Sequence, residues 1–466
     1  MVKSSAFMLV SLTARLITNI GVFFLLANFW DIQTFGEFMY YFTLTTLVVL
    51  FIDYGFSLKL VKDISKYPDK IHSLVSQAFI CKLFLTLVLI LIQFIFIQVI
   101  NNYLLFMILL VGAIFNSFGL FFCLPFRAIN DFKTESIITL ISNLLLAFLI
   151  LTLVIVGSGS LTIALAFFIG RVVFFSVSIK SYIKKIGNLK INFGFVKYST
   201  VSSGLISNFP YALHFAAGTI YLQIDTMIIH GYLGNEGVGI YQASVRILMG
   251  ALILNEVLTN VTLPKLSKSE EGLKGLNINI NRVFLLIGCI ISVILFVFAE
   301  QIVMLLYGPD YSLVINLLKL SALLLLIKYM GGLYGLLLTV SNKQNVRVIA
   351  VLVSIVINIL LNIIFIPMMG VEGAVIAAII SSTILNIIYM AVNFYIYKSV
   401  FITKRYFYLL LVYFTALFSV HLNEFSFSIN LLITSFVMFL LILMGTTVTE
   451  KRKIISYMKL KTTKVT

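Results

Sequence analysis

Charged residues are scarce in this sequence, and the acidic ones are scarcer than the basic ones. Of 466 residues, 11% are charged and 61% are hydrophobic, with 33 Lys and Arg against 17 Asp and Glu. Soluble proteins average about 25% charged residues. The mean hydropathy is +1.11, and one water-soluble core cannot bury so much apolar surface. The composition therefore excludes a soluble globular protein and indicates membrane-spanning helices of about 20 apolar residues each.

Cysteine is also scarce, and the common motifs of catalytic chemistry are absent. Cys81, Cys123 and Cys289 all fall inside apolar runs, where we expect them to pack rather than form disulfides or bind metal. The sequence contains no GxxxxGKS or GxxxxGKT, no HExxH, no CxxC and no GxSxG. We therefore expect a protein that is not an enzyme, has no ATP site and has no metal or cofactor.

Lysine and arginine are missing from every second connector between the apolar runs. Residues 30–37, 231–238 and 421–428 carry none, whereas the intervening connectors are rich in both. This alternation is the positive-inside pattern of a polytopic membrane protein, and it predicts that both termini are cytoplasmic. Orientation and anionic lipids account for the net charge of +16 better than nucleic acid, which we exclude as a partner.

The apolar runs predict about 14 spans. They cover residues 6–29, 38–60, 77–100, 104–124, 136–156, 161–182, 198–230, 240–263, 283–306, 313–340, 346–366, 371–397, 406–421 and 429–448. The first residues, MVKSSAFMLV, show no small-residue cleavage pattern, so we expect the first span to stay as an anchor.

A weak internal repeat connects two of the even-numbered spans. The segments FGEFMYYFTLTTL and VGIYQASVRIL align Gly36 on Gly239, with an offset of 203 residues that also places Asp53 on Glu256. Because both copies have the same predicted orientation, the repeats would be parallel and related by an axis along the membrane normal. Coincidence within low-complexity apolar sequence is the alternative.

Basic residues inside the spans predict an anionic cargo. Ionisable groups within a membrane are costly and usually face a cavity or a partner. Arginine suits phosphate in particular, through paired hydrogen bonds. Nine residues separate Lys319 from Lys328 and place them on opposite helix faces, so we expect one of the two to face the cavity. For each cation the alternative is an internal ion pair that holds helices together. The candidates for a cationic cavity are Arg15, Arg171, Arg246, Lys319 and Lys328.

The acids inside spans are candidates for coupling or gating. They include Asp53 and Glu256, and Asp225, which shares one helix face with His214 and Tyr221 at spacings of seven and four residues. Proton or sodium coupling through Asp225 or Glu256 is left open.

For Asp225, pairing with a basic residue such as Arg246 is the alternative to coupling. In the same helix, Pro210 and Gly218 predict a bend, which serves alternating access or packs as a static kink.

Three stretches resemble the polysaccharide flippases of the multidrug/oligosaccharidyl-lipid/polysaccharide exporter superfamily. They are FGEFMYYFTLTTLVVLFIDYGFSLKLVKDIS, QIDTMIIHGYLGNEGVGIYQASVRI and NKQNVRVIAVLVSIVINILLNIIFIPMMGVEGAVIAAIISS. The resemblance implies an all-α polytopic fold with two six-helix lobes, 1–197 and 198–398, around a central cavity, and a final helix pair with a basic tail at 399–466. It also matches the family's seventh-helix Asp to Asp225.

The same resemblance implies the cargo and the location. The cargo would be undecaprenyl pyrophosphate carrying an oligosaccharide repeat unit for O-antigen, a part of lipopolysaccharide, or for capsule. Alternating access would carry it from the cytoplasmic to the outer leaflet of the bacterial inner membrane. Further candidate partners are anionic lipids, a polysaccharide polymerase and chain-length proteins. Each negative charge moved outward gains about 2.3 kcal/mol per 100 mV of membrane potential, so the potential alone could drive export.

Three other functions are the alternatives. A cation-coupled multidrug antiporter of the same superfamily would have an acidic lumen and fewer spans. A peptidoglycan-precursor lipid flippase would have the same span count and is not separated by the sequence. A membrane polysaccharide polymerase would need a large outer loop, and every predicted outer connector is short.

Cysteine labelling in a background without native cysteines tests the predicted topology. Single cysteines within residues 231–238 should react with an impermeant maleimide added to intact cells, because a connector without Lys or Arg is expected outside. Cysteines within residues 265–282 are the control and should react after permeabilisation alone. The reverse pattern would remove the basis for cytoplasmic termini.

Overall fold

A computed structural model describes residues 20–93, 100–188, 198–266, 273–341, 343–397, 404–422, 434–437 and 440–441, and every regular element among them is helical. The helices are α1 (Ile20–Phe29), α2 (Ile32–Asp53), α3 (Phe56–Lys66), α4 (Ile71–Gln93), α5 (Tyr103–Ala128), α6 (Phe132–Ile155), α7 (Ser160–Lys185), α8 (Tyr198–Leu266), α9 (Leu273–Val297), α10 (Ala299–Leu306), α11 (Leu313–Val340), α12 (Gln344–Met369), α13 (Val371–Tyr397) and α14 (Lys404–Leu422). Short 3-10 turns follow α3 and α10, at Pro68–Lys70 and Pro309–Tyr311.

Ten of the helices in the described ranges are long and apolar enough to cross a membrane. One of these stretches, Val201–Thr262, has 62 residues, which at about 1.5 Å each is roughly three times the thickness of the apolar core. Its backbone leaves the helical conformation at Gly234, with φ 63° and ψ −158°, so it provides two spans. With α1, α14 and the helical residues 434–437 and 440–441, these stretches confirm an all-α polytopic fold with about 14 spans.

The two arms of α8 are joined by hydrogen bonds across this break. The Tyr241 hydroxyl donates to Asp225 Oδ2 at 2.9 Å, and Gln242 Nε2 donates to Thr226 Oγ1 at 2.8 Å. All four side chains are buried. The backbone stays helical at Pro210 and Gly218, so the break in α8 lies at Gly234 rather than at either of these two residues.

The second span ends earlier than predicted. We expected it to continue to residue 60, but α2 ends at Asp53, because Tyr54 and Gly55 adopt left-handed backbone conformations with φ of 37° and 69°. The amphipathic helix α3 follows and buries Phe56, together with Leu60 and Ile64, while Lys62 and Lys66 are exposed. We call this end of the helices, where α3 and the first turn of α6 lie, the lysine-rich end.

The chain forms two compact units, each with its own core. Unit 1 comprises Met1–Gly250 and Ile355–Ala374, and unit 2 comprises Ala251–Ser354 and Val375–Thr466. In unit 1, α5 packs against α7 and α2, and α6 packs against α7. In unit 2, α9 packs against α11 and α14. The lobe boundary at residues 197 and 198, which the resemblance implies, is a different division and stays a prediction.

The cores are rich in aromatic and aliphatic side chains, and cysteines belong to them. Phe122 and Tyr182 pack in the core of unit 1 with ring centroids 5.4 Å apart, close to Cys123. Cys289 lies in the core of unit 2. All three cysteines are free and buried, which agrees with their predicted role in packing.

Two glycines with similar backbone angles provide a matched test of close packing at the end of α2. Gly55 (φ 69°) has the backbone of Tyr211 2.3 Å from the position of a Cβ, whereas Gly157 (φ 76°) has no atom within 4 Å. Alanine in the left-handed region costs about 1–2 kcal/mol at either site. We expect Gly55→Ala to lower the thermal unfolding midpoint in detergent clearly more than Gly157→Ala, because it adds a clash with backbone. Equal losses would show that the close approach does not matter for stability.

Candidate functional site

The repeat glycines contact each other at the end opposite the lysine-rich end. A Cβ on Gly36 would lie 1.8 Å from the carbonyl oxygen of Asn235 and 2.8 Å from the amide nitrogen of Gly239. A Cβ on Gly239 would lie 2.4 Å from the carbonyl oxygen of Ile32. Hydrogen is therefore the largest side chain that either position accepts, and the first turns of α2 and of the second arm of α8 cross in backbone contact.

This contact has the symmetry that the repeat predicts. The offset of 203 residues that aligns Gly36 with Gly239 also aligns Ile32 with Asn235. Gly36 contacts Asn235, and Gly239 contacts Ile32. Each copy of the segment thus presents the same positions to the other, as in an isologous interface between two subunits. The geometry supports a true repeat over coincidence.

Asp225 lies at the centre of a buried polar network inside unit 1. Besides the bond from Tyr241, its Oδ1 accepts a hydrogen bond of 2.7 Å from Asn362 Nδ2 on α12. Asn362 also donates to Asn358 Oδ1 at 3.0 Å, one turn earlier on the same helix. Asn362 Oδ1 is buried without a hydrogen-bond partner. The cluster gathers carboxylate and amide oxygens, the ligands that hard cations prefer.

Arg246 lies next to this network, on the second arm of α8. Its Nη2 donates to Gln242 Oε1 at 3.2 Å, and Gln242 connects it to the Asp225 side of the helix pair through Thr226. The guanidinium carbon lies 4.1 Å from the ring centroid of Phe23 on α1, a cation–π contact. The side chain is partly buried. A bound anion would therefore meet a guanidinium that its neighbours already orient.

Arg171 lies in a different part of unit 1. Its Nη1 donates to Asn116 Oδ1 at 2.5 Å, beside a cavity of about 70 Å³ among α2, α5 and α7. Phe42 lines this cavity, and its ring lies 5.2 Å from that of Phe23, which contacts Arg246. The two arginines therefore flank one aromatic cluster.

Asp53 belongs to a separate triad with Lys82 and Ser117. Lys82 Nζ lies 2.8 Å from Asp53 Oδ1 and donates to Ser117 Oγ at 2.5 Å, and that hydroxyl donates to the same carboxylate oxygen. The lysine is 1% exposed. This triad connects α2, α4 and α5, so Asp53 takes part in an internal ion pair that holds helices together.

The other predicted site residues are dispersed. His214 and Tyr221 are half-buried on the first arm of α8, whose unbroken helix carries them on the same face as Asp225. Glu256 is exposed and belongs to unit 2, as do the half-buried Lys319 and Lys328. Arg15 lies outside the described residues.

Among the residues of these networks that sequence reasoning missed, three left a signal. Lys82 is a single charge inside the apolar run of α4 and belonged with the other intramembrane ions. Asn358 and Asn362 are polar residues four apart in the apolar helix α12, so they share one face. Their partner, Asp225, is 137 residues away from Asn362, and no local pattern indicates such a pairing.

Comparison with known proteins identifies the family. The family described as polysaccharide biosynthesis protein matches residues 1–270, more than half of the chain. The capsular polysaccharide biosynthesis protein CapF of Staphylococcus aureus is 26% identical over 256 residues, which cover 52% of this chain and 62% of that protein. The probable low-salt glycan biosynthesis flippase Agl15 of Haloferax volcanii is 22% identical over 214 residues, which cover 44% of this chain and 42% of that protein. The matched region spans less than two thirds of either relative.

Solved membrane transporters share the fold. The lipid II flippase MurJ in an inward closed conformation has a TM-score of 0.77 at 17% identity, covering 95% of this chain and 98% of that one. A multidrug resistance MATE family transporter of the MOP superfamily, in an inward-facing conformation, has a TM-score of 0.66 at 15% identity. The match covers 80% of this chain and 92% of that one. At these identities the likeness shows the fold. The chain therefore belongs to the polysaccharide biosynthesis protein family, with the multi-pass helical fold that MurJ and the MATE transporters also have.

Proposed function

We propose that this protein is a flippase that moves undecaprenyl-pyrophosphate-linked oligosaccharide repeat units from the cytoplasmic to the outer leaflet of the bacterial inner membrane, for surface polysaccharide synthesis. The family match, the capsular polysaccharide biosynthesis protein CapF and the probable glycan biosynthesis flippase Agl15 support this proposal. A structural likeness to a lipid II flippase over 95% of the chain adds a fold that is used for lipid-linked sugars. Chemistry on the glycan would belong to other proteins.

The observation that carries the proposal is the oriented guanidinium of Arg246 within a spanning arm of α8. An amide and an aromatic ring hold the side chain in place within this arm. A partly buried cation gains most from an anionic ligand, and a diphosphate accepts two hydrogen bonds from one guanidinium. Arg171 lies across the aromatic cluster and is the second candidate. A cation-coupled drug antiporter would have no use for this arrangement.

Alternating access needs a contact that can separate, and the glycine crossing of α2 with the second arm of α8 is such a contact. At Gly36 and Gly239 the two helices meet through backbone atoms, so separating them at this point costs van der Waals contact. In this conformation the crossing is closed. We propose that it separates when the headgroup is released outside, and that the lipid tail stays in the bilayer throughout.

The oxygen cluster around Asp225 is the candidate site for a coupling ion. Its carboxylate, with the amide oxygens of Asn358 and Asn362, would hold a sodium ion or a proton between the arms of α8 and α12. Ion binding there would stabilise one packing of these helices over the other, which is the requirement for coupling. Glu256, the other candidate from the sequence, is exposed and ranks below Asp225.

Replacement of Arg246 tests the anion-binding role. We expect Arg246→Ala to lower export about tenfold or more at unchanged membrane abundance, since a hydrogen bond to a charged group contributes about 1.5–3 kcal/mol. Arg246→Lys should restore part of the activity, because it keeps the charge and loses the paired geometry. Lys133→Ala, which removes an exposed charge at the lysine-rich end, is the matched control. Full activity of Arg246→Ala would exclude the arginine from cargo binding.

Replacement of Asp225 separates coupling from packing. If the carboxylate binds the coupling ion, Asp225→Asn should leave abundance unchanged, reduce export and weaken its dependence on pH or sodium. If the carboxylate is a structural partner, the same change should lower abundance, because it disrupts a buried network. Quantitative immunoblotting of membranes and export at varied pH and sodium provide the readouts. An abundant, fully active variant with an unchanged ion response would contradict both roles.

Depletion of the protein tests the function itself. The lipid-linked intermediate that accumulates should be an undecaprenyl-pyrophosphate oligosaccharide. It should remain in the cytoplasmic leaflet, protected from an impermeant glycosidase added to spheroplasts. Re-expression should make it accessible. Accumulation in the outer leaflet would indicate a later step, such as polymerisation, and accumulation of a peptidoglycan precursor would identify a different cargo.

A further inference from the structure

A pocket of about 380 Å³ opens at the lysine-rich end of unit 1. It lies between α3, the first half of α4 and the beginning of α8. Its volume is within the range of about 300–1,000 Å³ that is typical of small-molecule sites. None of the candidate residues for cargo or ion binding lines it, so it is separate from the site described above.

The rim of the pocket carries both donors and acceptors of hydrogen bonds. Lys59 Nζ donates to Ser207 Oγ at 2.6 Å and so spans the opening from α3 to α8. Asp63 follows one turn later on α3 and supplies a carboxylate. Gln77 of α4 and Ser203 of α8 are exposed and line the same space. The rim therefore suits a neutral ligand that both donates and accepts.

Asn208 gives an independent indication of a ligand. Its side chain is 1% exposed and lines the pocket. Nδ2 donates to the carbonyl oxygen of Tyr54, which fixes the amide orientation because a carbonyl can only accept. Oδ1 is then left buried without a hydrogen-bond partner. An unsatisfied buried acceptor costs about 1–3 kcal/mol, and a hydroxyl from a ligand would remove that cost.

The rest of the wall is apolar and includes an aromatic ring. The apolar lining residues are Phe56, Leu60, Leu74, Ile80 and Val201. A hydrocarbon chain would cover this wall but leave the amide of Asn208 and the rim charges desolvated, which is unfavourable. An anion would meet the carboxylate of Asp63 and the free acceptor of Asn208. A sugar ring matches both parts, with C–H faces for the wall and hydroxyls for the rim.

We propose that this pocket, at the lysine-rich end, is a docking site for one sugar unit of the glycan. It is separate from the proposed anion site at Arg246. The inference rests on the proposed function for the identity of the glycan, and it extends that function by giving the chain a sugar-selecting step before translocation. Because Lys59 and Asn208 connect α3 and the end of α2 to α8, an occupied pocket would also hold these segments together.

Ligand-observed saturation-transfer NMR on the purified full-length protein tests the pocket. The detergent must have no sugar headgroup, and the probes are free hexoses, N-acetylhexosamines and maltose, with inorganic pyrophosphate as competitor. We expect transfer to at least one sugar and no displacement by pyrophosphate. Asn208→Leu should weaken binding about fivefold, the effect of one neutral hydrogen bond, and Asp63→Leu about tenfold or more, because a hydrogen bond to a charged carboxylate is stronger. Ser73→Ala, at an exposed position outside the pocket, should bind like the unmodified protein.

Three results would overturn the inference: no transfer to any sugar, displacement by pyrophosphate, or unchanged affinity in the Asp63→Leu variant. The Asp63→Leu measurement remains a valid test even if Asn208→Leu does not fold. Asp63 is at the rim and has no role in the helix contacts described, so its replacement should leave the fold intact. Sugar binding needs no transport. A protein that exports the glycan without binding sugars here refutes the pocket alone, and one that binds sugars here without exporting refutes the proposed function alone.

Discussion

The constraint on which this structure depends is the cost of a bare polar or charged group in hydrocarbon. Three ionisable side chains within the spanning helices of unit 1 have partners that fit this constraint. Lys82 has Asp53, Arg171 has Asn116, and Asp225 has Asn362 and Tyr241. The partners differ in kind, and the difference separates roles. A carboxylate pairs with Lys82 and joins three helices, whereas amides orient both arginines and an aromatic ring also contacts Arg246.

Close backbone contacts lie on either side of these polar groups, at the two ends of α2. At the end opposite the lysine-rich end, Gly36 and Gly239 allow α2 to contact the second arm of α8. At the lysine-rich end, Gly55 allows the chain after α2 to contact the first arm of α8. Between the two contacts lie the hydrogen bonds that join the arms of α8, including those of Asp225. A change of charge at Asp225 would therefore alter the packing of helices that meet α2 at both ends, through elements in direct contact.

The sequence predicted the fold class well because hydropathy and the distribution of lysine are summed over long segments, and single irregularities do not change the sums. The sequence did not predict the features that depend on the conformation or contacts of a single residue. The early end of α2 depends on the left-handed backbone conformation of Tyr54. Tyrosine rarely adopts this conformation, so the sequence does not predict it. The repeat offset placed Gly36 on Gly239, yet the contact between them required the folded chain. For the candidate site, the charges at Arg171, Arg246 and Asp225 were visible, but Asn116 and Asn362, the amide partners of Arg171 and Asp225, come from distant helices.

Voltage-driven translocation in proteoliposomes tests the central claim most directly. The purified protein would be reconstituted with undecaprenyl-pyrophosphate oligosaccharide, and the fraction accessible to an external glycosidase followed after a potassium diffusion potential is imposed. Since each negative charge gains about 2.3 kcal/mol per 100 mV, accessibility should rise when the external side is positive, fall when the potential is reversed, and depend on Arg246. Accessibility that is the same with and without the protein, at either polarity, would contradict the account.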